Sequence, residues 1–285
     1  MAFLAAVLWG IWWIPIRYLE TLGMSGAWGS IAMNSGAAVA ALIWIVLVRA
    51  RLRLGWRGII GAALVGVAVT TYSTAITLAD VVRVILLFYL APAWSKVIEW
   101  ALMGQPWRWP SSVALAASLA GAYLVLGGEV SLASFGPGDI LAVLSGLAWA
   151  GGAALIFAGE RSNPLSLTLV SALSATGVGL LALWLGAGSV LAGQGSVTGS
   201  AAGAGFGIIY VLPILVLTLW SAQRLSPAVI SFLLTAEILS GVISGALLLD
   251  EPFGPMQAAG AGLILLAAAV EVVPGLMRAP PPRPG

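Results

Sequence analysis

Two ionisable side chains interrupt long apolar stretches of this 285-residue sequence, Lys96 and Glu237. Glu237 sits near the centre of the apolar stretch 227–249, and helical spacing puts Ser240, Gly241 and Ser244 on its face. A single carboxyl in lipid must be protonated, paired or held in a water-filled cavity. It can carry a proton by taking it up on one side and releasing it on the other. The plainer role is a neutral acid bonded to a neighbouring helix. Lys96 shares an arc of about 80° with Tyr89, Pro92 and Glu99 at ~100° per helical residue. It can meet an anionic group, pair with Glu99 or Glu237, or snorkel toward the headgroups. Pro92 lacks a backbone N–H and predicts a kink between Tyr89 and Lys96.

Aromatic residues supply the flat surfaces such groups would share. Trp9, Trp12, Trp13 and Ile16 fall on one side of the first apolar stretch, with Trp9 and Trp13 deeper than an interfacial belt reaches. An indole there can stack on a planar substrate and offers one N–H donor. Thr70, Ser73, Thr74 and Thr77 share one face, with Tyr72 on another, and helix-to-helix hydrogen bonding is the ordinary use of such hydroxyls. Ser145, Trp149 and Gly152 form a further stripe, as do Tyr210, Pro213, Leu217 and Trp220. The candidate substrate cavity is therefore Trp9, Trp13, Tyr72, Thr74, Tyr89, Lys96, Trp149, Tyr210 and Glu237. Pro92 is its kink and Glu237 the candidate proton carrier. Asp80 with Arg83, and Arg17 with Glu20, are expected to pair locally at i, i+3. Histidine and cysteine are absent, which excludes disulfides, haem and the usual zinc sites, and no metal or cofactor is expected.

Only membrane-spanning helices can position such residues in this composition. The chain is 61% hydrophobic and 8% charged, against about 25% charged in a soluble domain. It is read as an integral membrane protein, with the bilayer as its surroundings and no nucleic acid partner. A span needs about 20 mostly apolar residues. Ten stretches qualify: Ala2–Tyr18, Ala27–Val48, Gly58–Ala79, Val81–Met103, Pro110–Gly127, Gly138–Gly159, Pro164–Leu185, Gly203–Ala222, Pro227–Leu249 and Gly254–Val273. No cleavable leader is evident before the first. Spans two, five, seven and ten hold almost nothing polar mid-span and read as scaffold. If the Arg49–Arg57 link is cytoplasmic, nine basic residues fall inside and two, Arg17 and Arg83, outside. Both termini are then cytoplasmic, and a plasma (inner) membrane location is expected.

The chain also repeats itself. Gln105-Pro106-Trp107 and Glu251-Pro252-Phe253 close two long apolar spans at a shift of 252 − 106 = 146 residues. Five spans per half is an odd number, so two similar halves must be inverted. The expected fold is all-α, ten transmembrane helices in two inverted five-helix repeats over 1–128 and 138–274. A disordered cytoplasmic tail is expected over 275–285.

Leu8-Trp9-Gly10, Ala148-Trp149-Ala150, Leu225-Ser226-Pro227-Ala228, Leu249-Asp250-Glu251-Pro252 and Gly260-Ala261-Gly262-Leu263-Ile264 carry a resemblance over nearly the whole chain. On these residues the chain resembles the drug/metabolite transporter superfamily in its ten-helix, two-EamA-domain form. Gln105 departs from the pattern, standing where the second half has Glu251. The tryptophan-rich opening LWGIWWIPIRYLE is most similar to aromatic amino acid exporters. The resemblance implies cavity walls from spans one, three, four, six, eight and nine, and export of amino acids or similar small metabolites by alternating access.

Other functions are less well served. Gly136-Pro137-Gly138-Asp139 matches the GxGD string of intramembrane aspartyl proteases, but those need a second close carboxylate, and the string reads as a loop before span six. No enzyme is expected. A nucleotide-sugar or sugar-phosphate exchanger should embed several cations, and only Lys96 is embedded. A drug or lipophilic-cation efflux carrier wants a mid-span acid facing aromatics, which Glu237 and the tryptophans offer. The expected partner is a small-molecule substrate, amino acids first, handled by a monomer.

Overall fold

The computed structural model describes the chain except residues 51, 53, 105, 108, 126–134, 186–192, 225–236, 238–239, 242–243, 246, 249–253 and 278–285. Gln105, Arg108, the Leu225–Ala228 opening of span nine and Glu251-Pro252-Phe253 thus lie outside the described residues, as do the side chains of Pro92 and Glu99. All secondary structure among the described residues is helical. The helices are α1 (Ala2–Gly10), α2 (Trp13–Thr21), α3 (Trp28–Leu47), α4 (Trp56–Ile76), α5 (Val81–Phe88), α6 (Ala91–Met103) and α7 (Trp109–Val125). They continue with α8 (Pro137–Ala158), α9 (Pro164–Leu185), α10 (Val197–Phe206), a π-helical turn Gly207–Val211, α11 (Leu212–Ala222) and α12 (Pro255–Met277). Because α12 runs to Met277, residues 275–277 are helical, which corrects the tail boundary expected at 275.

Six helical stretches among the described residues are long and apolar enough to cross a membrane: Trp28–Leu47, Trp56–Ile76, Val81–Ile98, Pro137–Ala158, Pro164–Leu185 and Val197–Ala222. The first apolar stretch is not one of them, and it is broken. Pro15 has no N–H to return to the Ile11 carbonyl, so the ladder cannot pass that point. The chain instead closes tighter bonds, Trp12 N–H to Trp9 O at 3.0 Å and Ile14 N–H to Ile11 O at 3.1 Å. Two nine-residue helices result. Pro92 acts likewise on the Phe88 carbonyl, and α5 gives way to α6 across Tyr89-Leu90. Pro213 withholds the N–H that Ile209 would accept, and the chain there widens into a π turn closed by Leu212 N–H on Gly207 O. Three prolines thus account for the three interruptions.

The outer surface is apolar, unlike that of a soluble domain, and polar groups are held inside. On α3, Val39, Leu42, Ile43, Val46 and Leu47 are exposed, whereas Ser30, Asn34, Ala37, Ala38 and Ala41 are buried. Lipid accepts apolar side chains at no cost, while hydroxyls and amides must find partners inside. Polar residues on α3 and α9 correct the expectation that spans two and seven hold almost nothing polar. Ser30 and Thr70 hydroxyls meet at 3.1 Å, Thr70 donates to Ala175 O at 2.7 Å, and Ser174 donates to Ala63 O at 2.8 Å. These bonds join α3, α4 and α9. Small residues let the backbones come this close. A Cβ at Gly61 would lie 2.9 Å from Gly152 O, and one at Gly152 would lie 2.7 Å from Gly61 O, so α4 and α8 meet backbone to backbone. α4 packs on α8 and α9, α3 on α9 and α10, α7 on α12, and α1 on α11.

Candidate functional site

Glu237 lies at 4% exposure in a helical turn with Ser240 and Gly241. That turn touches α1 closely: a Cβ at Gly10 would lie 2.5 Å from Glu237 O and 2.8 Å from Gly241 N. Ser240 Oγ donates to Val7 O at 3.3 Å and bonds Glu237 O at 3.2 Å. The carboxyl points the other way. Its Oε2 accepts a hydrogen bond from the Tyr89 hydroxyl at 3.0 Å, and the Tyr72 hydroxyl faces the same carboxyl. Tyr89 reaches it because it occupies the break between α5 and α6, where a non-helical turn aims the ring at the segment carrying Glu237.

A cavity opens beside this pair. Trp9 of α1, Tyr72 of α4, Phe88 of α5 and Trp149 of α8 give it aromatic walls, with Ala68 and Val69 between them. Phe88 packs against Tyr72 at 5.2 Å between ring centroids and edge-on against Tyr89 at 5.5 Å. Ser145 also lines it, but its hydroxyl is spent on Ala68 O at 2.8 Å. Glu237 is the one ionisable carboxyl among the described wall residues, and no cationic side chain is among them. A carboxyl held by a phenol and surrounded by ring faces can bind a cation, by charge and by cation–π attraction together.

The break in the first span disperses its tryptophans to three partners. Trp9 Nε1 donates to Thr218 Oγ1 at 3.0 Å, Trp12 Nε1 to Ser73 Oγ at 3.1 Å, and Trp13 Nε1 to Ser244 Oγ at 2.9 Å. Trp12 is fully buried between Trp9, at 4.8 Å, and Tyr210, at 5.8 Å. Tyr210 donates its hydroxyl to Leu8 O from the π turn. Thr74 is buried on α4. Lys96 is half-buried on α6, seven residues beyond Tyr89, and is not among the cavity-wall residues.

Of the sequence candidates, the structure brings Trp9, Tyr72, Trp149 and Glu237 to one wall, with Tyr89 bonded to the last. Trp13 and Tyr210 bond elsewhere around it. Sequence reasoning passed over Phe88 and Thr218. An apolar ring in an apolar span carries no signal, whereas Thr218 lies on one helical face with Tyr210, Leu217 and Ser221 and was open to notice.

Two expectations about charge need correcting. Arg83 pairs not with Asp80 but with Asp139, Nε to Oδ1 at 2.6 Å and Nη2 to Oδ2 at 2.8 Å. Asp139 is also not in a loop. It stands in the first turn of α8 and accepts from Gly136 N–H at 2.9 Å, so the GxGD string is a helix cap bound to an arginine. Asp80, by contrast, is exposed at the N-cap of α5. Arg17 and Glu20 do pair, at 2.9 Å.

Residues 136–272, just under half of the chain, match the EamA-like transporter family. No curated protein matches the chain. A solved crystal structure shares the fold at a TM-score of 0.63 and 19% sequence identity, covering 98% of this chain and 98% of its own. The domain match and the apolar helices together point to a multi-pass membrane protein.

Proposed function

We propose that the protein is a ten-span carrier that exports small amphipathic metabolites, amino acids among them, by alternating access to the cavity beside Glu237. The observation that carries this reading is the buried Tyr89–Glu237 pair on the wall of an aromatic cavity. Glu237 would meet the substrate ammonium group or carry a proton in exchange, and the aromatic walls would hold an apolar or planar side chain.

Two inverted repeats over 1–128 and 138–274 fit the packing. Numbering the spans one to ten, contacts recur when each span is exchanged for its repeat partner. Span three on six answers span eight on one, and span three on seven answers span eight on two. A Cβ at Gly146 would lie 2.5 Å from Phe88 O, just as one at Gly10 would lie 2.5 Å from Glu237 O. Spans three, four and six thus form one cluster, and eight, nine and one the other. Tyr89 to Glu237 and Trp12 to Ser73 cross between them. Rocking one cluster against the other around the cavity is the motion this arrangement favours. The positive-inside bias favours cytoplasmic termini.

The test is uptake into proteoliposomes of the full chain, with a panel of labelled amino acids, with and without a pH gradient. Saturable accumulation driven by the gradient supports the reading. Gradient-independent equilibration makes the protein a facilitator, and no movement of any amino acid removes this substrate class.

A further inference from the structure

We infer that the cavity beside Glu237 selects substrates by charge, taking a primary arylalkylamine in preference to the amino acid with the same ring. The inference rests on the transport reading of that cavity and concerns only what it binds. An amino acid brings an ammonium and a carboxylate to this one cavity. Its ammonium has a partner in Glu237, and its ring has Trp9, Tyr72, Phe88 and Trp149. Its carboxylate has no cationic partner among the described wall residues, and the one ionisable carboxyl there is acidic too. Ser145, the one hydroxyl besides Tyr72 on the wall, already donates to Ala68 O. Burying a charge without a counter-charge is costly, and setting it beside a like charge costs more. An amine carries only the group that this wall recognises.

The same geometry gives Tyr89 a role as competitor. Its hydroxyl occupies Glu237 Oε2 at 3.0 Å, so an incoming ammonium must displace that donor or share the carboxyl with it. Removing the hydroxyl should tighten amine binding, whereas removing the acid should weaken amine and ester and narrow the preference for amine over amino acid, because the like charge goes while the missing counter-charge remains.

The test is calorimetric titration of the full chain in nanodiscs with phenethylamine, phenylalanine methyl ester and phenylalanine. These share a ring and an ammonium, and only phenylalanine carries a carboxylate. The expected result is amine and ester binding at least ~tenfold tighter than phenylalanine. That difference should narrow in Glu237→Gln with amine and ester both weakened, and Tyr89→Phe should tighten the amine several-fold. Should Glu237→Gln fail to fold, the three-ligand comparison on the unaltered chain and on Tyr89→Phe still decides. Phenylalanine binding as tightly as the amine overturns the inference while leaving the carrier reading standing. Failure of all three to bind also overturns it, and proteoliposome uptake then judges the carrier reading separately.

Discussion

The Tyr89 hydroxyl donates to Glu237 at 3.0 Å, joining residues 148 positions apart in sequence and closing one wall of the cavity. Neither residue owes this meeting to its own helix alone. Tyr89 is swung inward by the chain break before Pro92, and Glu237 is pressed inward by the close packing at Gly10.

If Glu237 exchanges a proton with each cycle, Glu237→Gln should reduce gradient-driven uptake by at least ~tenfold and leave the residual flux insensitive to pH. Glutamine keeps the size and the hydrogen-bond acceptor for Tyr89 but cannot titrate. Uptake with unchanged rate and pH profile would rule out coupling at this position.

Ser73 accepts from Trp12 and itself donates to Val69 O at 2.7 Å. Ser73→Ala strands a fully buried indole N–H, at a cost of about 1–3 kcal/mol in thermal unfolding. Trp12→Phe in that background should then cost less than Trp12→Phe alone, with a coupling of roughly 0.5–1.5 kcal/mol. Strict additivity would show that the bond carries no stability.

Gly205 and Gly207 lie two residues apart and should respond oppositely. A Cβ at Gly205 meets nothing within 4 Å, whereas at Gly207 it would strike Met33 O. Gly205→Ala should be neutral or stabilising by up to about 1 kcal/mol through helix propensity. Gly207→Ala should destabilise by roughly 1–3 kcal/mol by forcing α3 away. Equal melting temperatures in the two variants would contradict the packing described.

Arg83→Ala should lower stability by roughly 1–3 kcal/mol, less than for a wholly buried pair because Arg83 keeps 27% exposure. Asp80→Ala should change stability by less than about 0.5 kcal/mol, since that side chain is exposed. A larger loss from Asp80→Ala than from Arg83→Ala in thermal unfolding would restore the local i, i+3 pairing.

The sequence by itself determined the class of molecule and the helix break at Pro92. With 61% hydrophobic residues and long apolar runs, backbone groups in lipid can be satisfied only within helices, so the boundaries of Pro164–Leu185 were legible to the residue. Pro92 announced a break because a missing N–H acts within its own turn, whatever the neighbours. Glu237 announced a site because an acid in an apolar run needs a reason. Only the tertiary structure decided which polar groups meet. Periodicity gives the face of a helix on which a residue lies, but not which helix that face meets, and lipid-facing and core-facing surfaces here are both apolar. Glu237 therefore received Tyr89 from 148 residues away, and Arg83 received Asp139 from 56 residues away where Asp80 stood three residues off. Trp9, Trp12 and Trp13, nearly contiguous in sequence, were sent to three different partners because Pro15 breaks the helix between them and helix packing set what each then faced.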